Sequence, residues 1–293
     1  MMSADVIAAA FAAACRDELD APKPGNVHIL APGHGMTAAQ FTASADAASG
    51  PLCVPQRRVG ERILGAVEAT FAAVGINTNL GIILLCAPLA AAAELEALAF
   101  RDAVAGVLDG LDIDDADRAF AAITRAAPAG LGRVERHDVR APATVTLKQA
   151  MAEAAGRDRV ARQYATAFAD VFDLGLPRYD AAATRRGDPK WAALAVYIAF
   201  LATDADSHVV RKHGAAAADD VRRTALKFDA TLRSTDDPAR LLPELLAWDT
   251  ALKEKGVNPG TSADLTVATL FAHRLQPPTS HLAVGAQQWL TLR

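Results

Sequence analysis

Apolar residues along this chain recur at helical spacing, and no segment alternates apolar and polar residues for long enough to require a β-strand. Thr37 and Gln40 have the spacing of a capping box, which marks the start of a helix. The stretch from Leu80 to about Leu98 is apolar on all sides and predicts a buried, central helix. Predicted helices cover about 6–15, 37–49, 55–73, 80–98, 147–155, 158–173, 189–203, 216–233, 238–255, 262–274 and 280–292.

Two segments interrupt this pattern. Residues Asp102 to Asp117 are acidic and contain Gly106 and Gly110, and residues Pro128 to Pro142 are rich in Gly, Pro and Arg. We expect a mobile or linking region here. There is no fixed-period repeat and no linker long enough to force two domains. The prediction is an all-α, single-domain bundle of about ten to thirteen helices over residues 1–293.

Composition agrees with a helical fold and narrows the partners. Hydrophobic residues make up 52% of the chain but aromatic residues only 5%, because alanine, the strongest helix former, supplies much of the apolar content. The formal net charge of −4 provides no basic surface for nucleic acid. A small-molecule partner is therefore favoured. The sequence leaves the oligomeric state open, and a homodimer is compatible with it.

Cysteine usage and apolar runs indicate the compartment. The three cysteines are widely spaced in apolar surroundings, so neither a disulfide framework nor a zinc site is indicated. Val6 to Cys15 resembles the apolar part of a secretion signal, but no Lys or Arg precedes it, and we interpret it as the first helix. The apolar run from Ile82 to Ala93 is too short to span a bilayer. We predict a cytoplasmic protein without membrane contact.

Four polar segments stand out from their apolar surroundings. Each lies at a predicted helix end, where free backbone N–H groups and the helix dipole favour an anion. We expect the four to line one phosphate-handling pocket. They are segment one (Pro22–His28), segment two (Asn77–Gly81), segment three (Asp204–Gly214) and segment four (Asn258–Leu265).

Segment one carries a lysine between two prolines. The prolines restrain the backbone, so Lys23 loses little entropy on binding phosphate, with Gly25 and Asn26 beside it. An exposed loop lysine is the structural alternative. His28 is a candidate general acid or base near neutral pH, although a lone histidine is more often structural.

Segment two offers more polar groups than a helix cap needs. One side chain suffices to cap the apolar helix, which leaves donors and acceptors on Asn77, Thr78 and Asn79 for a ribose or base edge. Gly81 permits close approach of a ligand at the first turn.

Segments three and four supply carboxylates beside cations. Asp206 and Asp264 are candidate magnesium ligands, since hard cations take carboxylate oxygens together with substrate phosphates. Arg211 and Lys212 would neutralise the phosphates. Gly260 and Ser262 are further candidate phosphate-binding residues. The alternatives are a solvated, charged helix start for segment three and a first-turn helix charge for Asp264.

These segments, in this order, resemble the triphosphoribosyl-dephospho-CoA synthase family. Its members carry a Lys-Pro-Gly segment, an Asn-Thr turn before an apolar helix, an Asp-containing segment ending in Arg and Gly, and a Pro-Gly-x-Ser-Ala-Asp-Leu segment. The matching positions here run from Pro22 to Leu265. The resemblance implies an all-helical fold and a magnesium-dependent transferase that joins ATP to the ribose 2′-hydroxyl of 3′-dephospho-CoA, giving triphosphoribosyl-dephospho-CoA and adenine.

The resemblance also assigns roles. Asp206 and Asp264 would hold Mg²⁺, Lys23 and Arg211 would neutralise phosphates, and His28 would move a proton. Asn77 and Asn79 would position the nucleotide.

The chain departs from the family pattern at several positions. It has Asn26-Val27-His28 where members continue with Leu-Val-Asp, and Leu80 where they have a lysine. Their Gly-Ala-His-x-Asp-Met segment corresponds at best to Gly33 to Met36. The resemblance is therefore to a divergent branch, similar to members associated with one-carbon cofactor genes, and its substrate is predicted to be a different phosphorylated compound.

Three functions remain open at this point. The first is the transferase, acting either on dephospho-CoA or in methanopterin- or methanofuran-type cofactor biosynthesis. The second is a non-catalytic helical nucleotide-binding protein. The third is a helical magnesium hydrolase, which requires several carboxylates around the metal.

Overall fold

The computed structural model describes residues 2–95, 99–128, 132 and 136–276. These residues form an all-α fold without extended strands, as the sequence predicts. A π-helical turn lies at Asp170–Gly175 and a 3-10 turn at Pro238–Leu241. The α-helices of the described residues are α1 (Ala4–Asp20), α2 (Ala38–Leu52), α3 (Val59–Val74), α4 (Leu80–Ala93), α5 (Phe100–Asp109), α6 (Ile113–Ala126), α7 (Leu147–Ala154), α8 (Arg159–Ala165), α9 (Leu176–Arg186), α10 (Pro189–Thr203), α11 (Ser207–His213), α12 (Ala215–Ser234), α13 (Leu242–Glu254) and α14 (Gly260–Leu275).

Three buried helices form the centre of the fold. Helices α4 and α10 are buried along almost their whole length, because their sequences present apolar side chains on nearly every face. Helix α14 is buried as well, and its buried Thr266 and Thr269 hydroxyls donate to carbonyls of the same helix. Helix α1 packs on α14 through an edge-to-face contact between Phe11 and Phe271, whose ring centroids lie 5.7 Å apart. The prediction of a buried helix beginning at Leu80 is confirmed.

Buried tyrosines tie loops to this centre. The Tyr197 hydroxyl on α10 donates a 2.7 Å hydrogen bond to the Pro24 carbonyl in segment one, and the Tyr164 hydroxyl on α8 donates a 2.6 Å bond to the Leu84 carbonyl on α4. Since a buried hydroxyl without a partner is costly, these bonds fix segment one and α8 relative to the core.

The acidic region 102–117 is helical on both sides of a short break at 110–112, so Gly110 interrupts it as expected and Gly106 does not. Gly106 lies inside α5, where Val104 and Leu108 are buried against the core and outweigh the poor helix propensity of glycine. Asp112 then starts α6 through a capping box with Asp115. The described part of 128–142 is non-helical, as predicted.

Other helix boundaries also differ from prediction. Helix α2 continues through Pro51 to Leu52, and the predicted helix over 158–173 ends early, so that α9 follows as a helix the sequence did not predict. The predicted helix over 280–292 lies outside the described residues. No single described helix is long and apolar enough to cross a membrane, although α10 and α11, bent by 55°, together have the necessary length and composition.

Candidate functional site

A cavity of about 950 Å³ opens between the ends of several helices. This volume is at the upper end of the range of about 300–1,000 Å³ that small-molecule sites occupy. Part of its wall is apolar and comes from α3, α4 and α6. The rest carries charged and polar groups, which come from the four segments, from α7 and α8 and from the loop after α6. Such a wall suits a ligand with both polar and apolar parts.

All four polar segments reach this wall. Asn26 links the first and last of them, since its Nδ2 donates a 2.8 Å hydrogen bond to Asn258 Oδ1. Two predicted helix starts, those of α4 and α14, therefore border one space. The N–H groups of Leu80, Gly260 and Ser262 there already donate to protein oxygens. The predicted site residues in the wall are Asn26, Asn77, Thr78, Gly81, Arg211, Lys212, Gly260 and Asp264.

Asp264 is the predicted carboxylate that faces the cavity. It lies in the first turns of α14, directly against Gly81 of α4. Burial, together with the negative charges of Asp206 and Glu18, raises the pKa of Asp264 well above its ordinary value. The carboxyl group is therefore poised to hold a proton or to accept a cation.

His208 is an imidazole in the same wall. Its Nδ1 lies 2.6 Å from where a β-carbon on residue 260 would stand, so Gly260 leaves the ring its space. Burial, and then the charges of Arg211 and Lys212, lower the pKa of His208 to about 4. The ring is uncharged at neutral pH and can accept a proton.

Asp206 lies behind the wall. Its Oδ1 accepts hydrogen bonds from the His208 and Val209 N–H groups, and its Oδ2 accepts bonds of 2.8 Å from both the N–H and the hydroxyl of Ser262. Asp206 thus caps α11 and ties it to the start of α14. Direct contact with a metal in the cavity would require Asp206 to give up some of these bonds.

Lys23 is fully buried and also lies behind the wall. Its ammonium donates to the Glu18 carboxylate, to Asn26 Oδ1 at 3.0 Å and to the Val27 carbonyl at 2.8 Å. These three bonds use all three of its donors. Burial lowers the pKa of Lys23 and raises that of Glu18, while their mutual attraction opposes both shifts.

His28 is buried beside an acid on α13. Its Nε2 lies 3.3 Å from Asp249 Oδ2, and Asp249 Oδ1 accepts a 2.8 Å hydrogen bond from the Gly25 N–H. Burial lowers the pKa of His28. Gly25 has φ 81°, a left-handed conformation that glycine adopts readily. His28 and Gly25 therefore shape segment one from outside the wall.

The remaining candidates cap helices or border the opening. Asn77 Oδ1 accepts the Leu80 N–H at 3.2 Å, and the Thr78 hydroxyl donates to Ser44 Oγ at 2.6 Å, whereas Asn79 is buried outside the wall. Arg211 lies 3.2 Å from Asp158 Oδ2, and Lys212 is exposed. The predicted nucleotide contacts of these residues stay predictions.

Several wall residues lie outside the sequence prediction. Glu18 precedes segment one, Asp158 caps α8, and His208 lies within segment three without a neighbouring motif that marks it. Phe71 and Arg125 come from α3 and α6, which show ordinary amphipathic patterns. Only the spatial arrangement distinguishes these side chains from structural ones.

The wall fits a magnesium ion bound jointly with phosphate. In the described part of the chain, no group of three or more His, Cys, Asp or Glu side chains could hold a metal by itself. Magnesium, however, needs only one or two carboxylates together with phosphates and water. Asp264, whose pKa is raised by burial and by neighbouring acids, offers such a carboxylate next to the start of α4.

Comparison with solved structures identifies the fold. A crystal structure from Archaeoglobus fulgidus, provisionally named a triphosphoribosyl-dephospho-CoA synthase, superposes with a TM-score of 0.58 at 22% identity. The match covers 78% of this chain and 96% of that chain. No curated protein matches the sequence.

Comparison with family profiles gives the family. Residues 4–281 match ATP:dephospho-CoA triphosphoribosyl transferase. The chain belongs to this family and is a transferase, and the resemblance drawn from the four segments is confirmed.

Proposed function

We propose that this protein transfers the triphosphoribosyl group of ATP to a hydroxyl group of a second phosphorylated substrate and releases adenine. For the family as described, that acceptor is dephospho-CoA. The observation that carries the proposal is the convergence of the four polar segments on one cavity large enough for two substrates.

The polar part of the wall binds the triphosphate in this proposal. Arg211 and Lys212 provide positive charge, and the positive ends of the α4 and α14 helix dipoles border the same space. Gly81 and Gly260, one at each helix start, carry no side chain and so leave room for the Asp264 carboxylate and the His208 ring beside the triphosphate.

Asp264 would hold magnesium together with the phosphates. When bound, the ion would supply positive charge that offsets charge on the triphosphate. Burial and the neighbouring acids raise the pKa of Asp264, and a cation beside it would favour its charged form. Asp206 acts from behind the wall by fixing the starts of α11 and α14.

Proton transfer falls to His208 in this proposal. The acceptor hydroxyl must lose a proton as its oxygen bonds to ribose C1′ and the bond from C1′ to adenine breaks. An uncharged imidazole in the wall can take that proton, and adenine, which keeps the electron pair of the broken bond, takes up one proton as it leaves. The predicted proton-transfer role of His28 is untested, and this side chain lies outside the wall.

Leu80 favours an acceptor other than dephospho-CoA. This side chain is buried in the cavity wall at the start of α4, where the resemblance expects a lysine. Loss of that charge removes a phosphate partner and leaves an apolar surface. The second candidate is therefore transfer to a different phosphorylated compound, such as an intermediate of methanopterin- or methanofuran-type cofactor biosynthesis.

Product analysis tests the proposal. The protein is incubated with ATP, Mg²⁺ and a panel of phosphorylated acceptors that includes dephospho-CoA, and adenine and the adduct are measured by chromatography and mass spectrometry. We expect acceptor-dependent release of adenine and an acceptor heavier by one triphosphoribosyl group. Nucleotide binding without turnover would instead indicate a binding protein, and phosphate release without an acceptor would indicate a hydrolase.

A further inference from the structure

We propose that Phe71 and Arg125 form a stacking platform in the cavity wall that binds a planar aromatic ring of a substrate. The identity of that substrate rests on the proposed function, whereas the ring-binding site itself does not. The guanidinium carbon of Arg125 lies 4.4 Å from the centroid of the Phe71 ring, and both residues line the cavity.

The positions of the two residues bring this platform to the apolar part of the wall. Phe71 lies in the last turn of α3, and Arg125 lies in the last turn of α6. The two helices pack along each other, and α6 also contributes Phe120 and Ile123 to the wall. A ring bound here would meet apolar side chains at its edges and lose contact with water.

Arg125 has no carboxylate partner among the described residues. Two other arginines of the wall differ, since Arg140 bonds Asp138 and Arg211 pairs with Asp158. Arg125 is exposed and is held over Phe71 alone, near the negative end of the α6 dipole. Its charge and its planar face therefore remain available to a ligand.

The chemistry of the pair selects a planar ring. Guanidinium and aromatic planes both stack on nucleobases and similar rings, and such stacking tolerates different ring identities. The stacked ring is either the adenine of the donor or an aromatic ring of the acceptor. The polar part of the wall, around Arg211 and Asp264, remains available for phosphates.

Binding measurements without turnover test the platform. We compare wild type, Phe71→Leu, Phe71→Tyr and Arg125→Gln by calorimetry with Mg²⁺ and three probes: ATP, dephospho-CoA and tripolyphosphate, which has no ring. Leucine keeps an apolar side chain without a ring, and tyrosine keeps the ring. The matched control is Arg101→Gln, because Arg101 lies 5.4 Å from the Phe172 ring outside the cavity wall.

The expected pattern separates ring stacking from other effects. Phe71→Leu weakens binding of at least one ring-containing probe by about tenfold, whereas tripolyphosphate binding stays unchanged. Arg125→Gln acts in the same direction, and Phe71→Tyr and Arg101→Gln stay close to wild type. A loss confined to ATP places the donor adenine on the platform, and a loss confined to dephospho-CoA places the acceptor there.

Other outcomes overturn the platform. These are unchanged ring binding in both Phe71→Leu and Arg125→Gln, equal loss of tripolyphosphate, or no binding of either ring-containing probe by wild type. Because Arg125 is exposed, we expect Arg125→Gln to fold normally. It therefore tests ring binding even if Phe71→Leu folds poorly. Failure of the proposed function looks different, because ring-dependent binding would persist without adenine release for any acceptor.

Discussion

The Asp264 carboxylate on α14 lies directly against the α-carbon of Gly81 on α4. A β-carbon at residue 81 would stand 2.6 Å from the Asp264 carboxyl carbon, closer than real β-carbons approach another atom. The two helix starts can therefore meet at the cavity only because residue 81 has no side chain. This contact joins segments two and four, which are far apart in the sequence.

Gly81→Ala tests this contact. We expect a loss of about 1–3 kcal/mol in the free energy of unfolding, because the added methyl group forces the two helices apart. Nucleotide affinity should fall as well, since Asp264 moves. Chemical denaturation and calorimetry measure the two effects. Gly106→Ala in α5 is the matched control, because nothing lies within 4 Å of its added β-carbon and alanine favours the helix.

Asp264→Asn should separate stability from activity. The raised pKa of Asp264 means that, above the unfolded pKa of about 3.9, the folded state binds more protons than the unfolded state. Wild-type stability therefore falls as pH rises through that window. The asparagine variant lacks this loss and should melt at a higher temperature than wild type at neutral pH without ligand.

The same variant should lose function. Without the carboxylate, magnesium-dependent binding of ATP should weaken and transfer should fall by roughly 100-fold or more. Asp220→Asn, at an exposed site on α12, is the control and should change neither property. A variant that is less stable than wild type at neutral pH, or that transfers normally, would contradict the role of Asp264.

The helices and the convergence of the polar segments could be predicted because each depends on local pattern. Apolar periodicity marked α4 and α10, and helix-start chemistry marked the segments. The helix around Gly106 could not be predicted, since burial of Val104 and Leu108 outweighs the poor helix propensity of that glycine.

The sequence also could not predict whether a residue lines the cavity or lies behind its wall. Lys23 and Asp206 were predicted beside phosphates, and the structure places them one layer behind, where they hold segment one and α11. A polar residue in an apolar context has the same pattern whether it faces a cavity or supports the residue that does. The Phe71 and Arg125 pair is likewise visible only in space.

Asp206→Asn tests the placement of Asp206 behind the wall. The amide can keep only one accepting oxygen, so its NH₂ group would face the N–H and hydroxyl of Ser262. We expect a loss of about 1–3 kcal/mol in the free energy of unfolding together with loss of transfer. Unchanged stability with loss of magnesium affinity would instead assign Asp206 directly to the metal. Denaturation curves and metal titration distinguish the two.

Lys23→Met tests whether the buried lysine supports the fold or binds phosphate. Removing the ammonium leaves the Glu18 carboxylate buried without its cation, which should cost about 3–5 kcal/mol. Combining it with Glu18→Gln should restore part of that stability. If Lys23 binds phosphate, the single variant would lose ATP affinity with little change in stability. Thermal melting and calorimetry on both variants decide between these outcomes.

His208→Gln tests the imidazole in the wall by two measurements. Burial and the nearby Arg211, Lys212, His34 and His213 hold the pKa of His208 at about 4. Between that value and the unfolded value of about 6.5, the unfolded state binds more protons, so stability is lost as pH falls through this window. Glutamine does not titrate, and the stability difference between variant and wild type should change only there.

Activity provides the second measurement for His208. If this imidazole accepts the proton of the attacking hydroxyl, glutamine should lower kcat by about 100- to 10,000-fold, with a smaller change in KM. His273→Gln, on α14 outside the cavity wall, is the control and should keep its activity. An unchanged kcat would remove His208 from proton transfer, even if the stability difference followed the expected pH dependence, because that dependence reports only the burial of the ring and the charges around it.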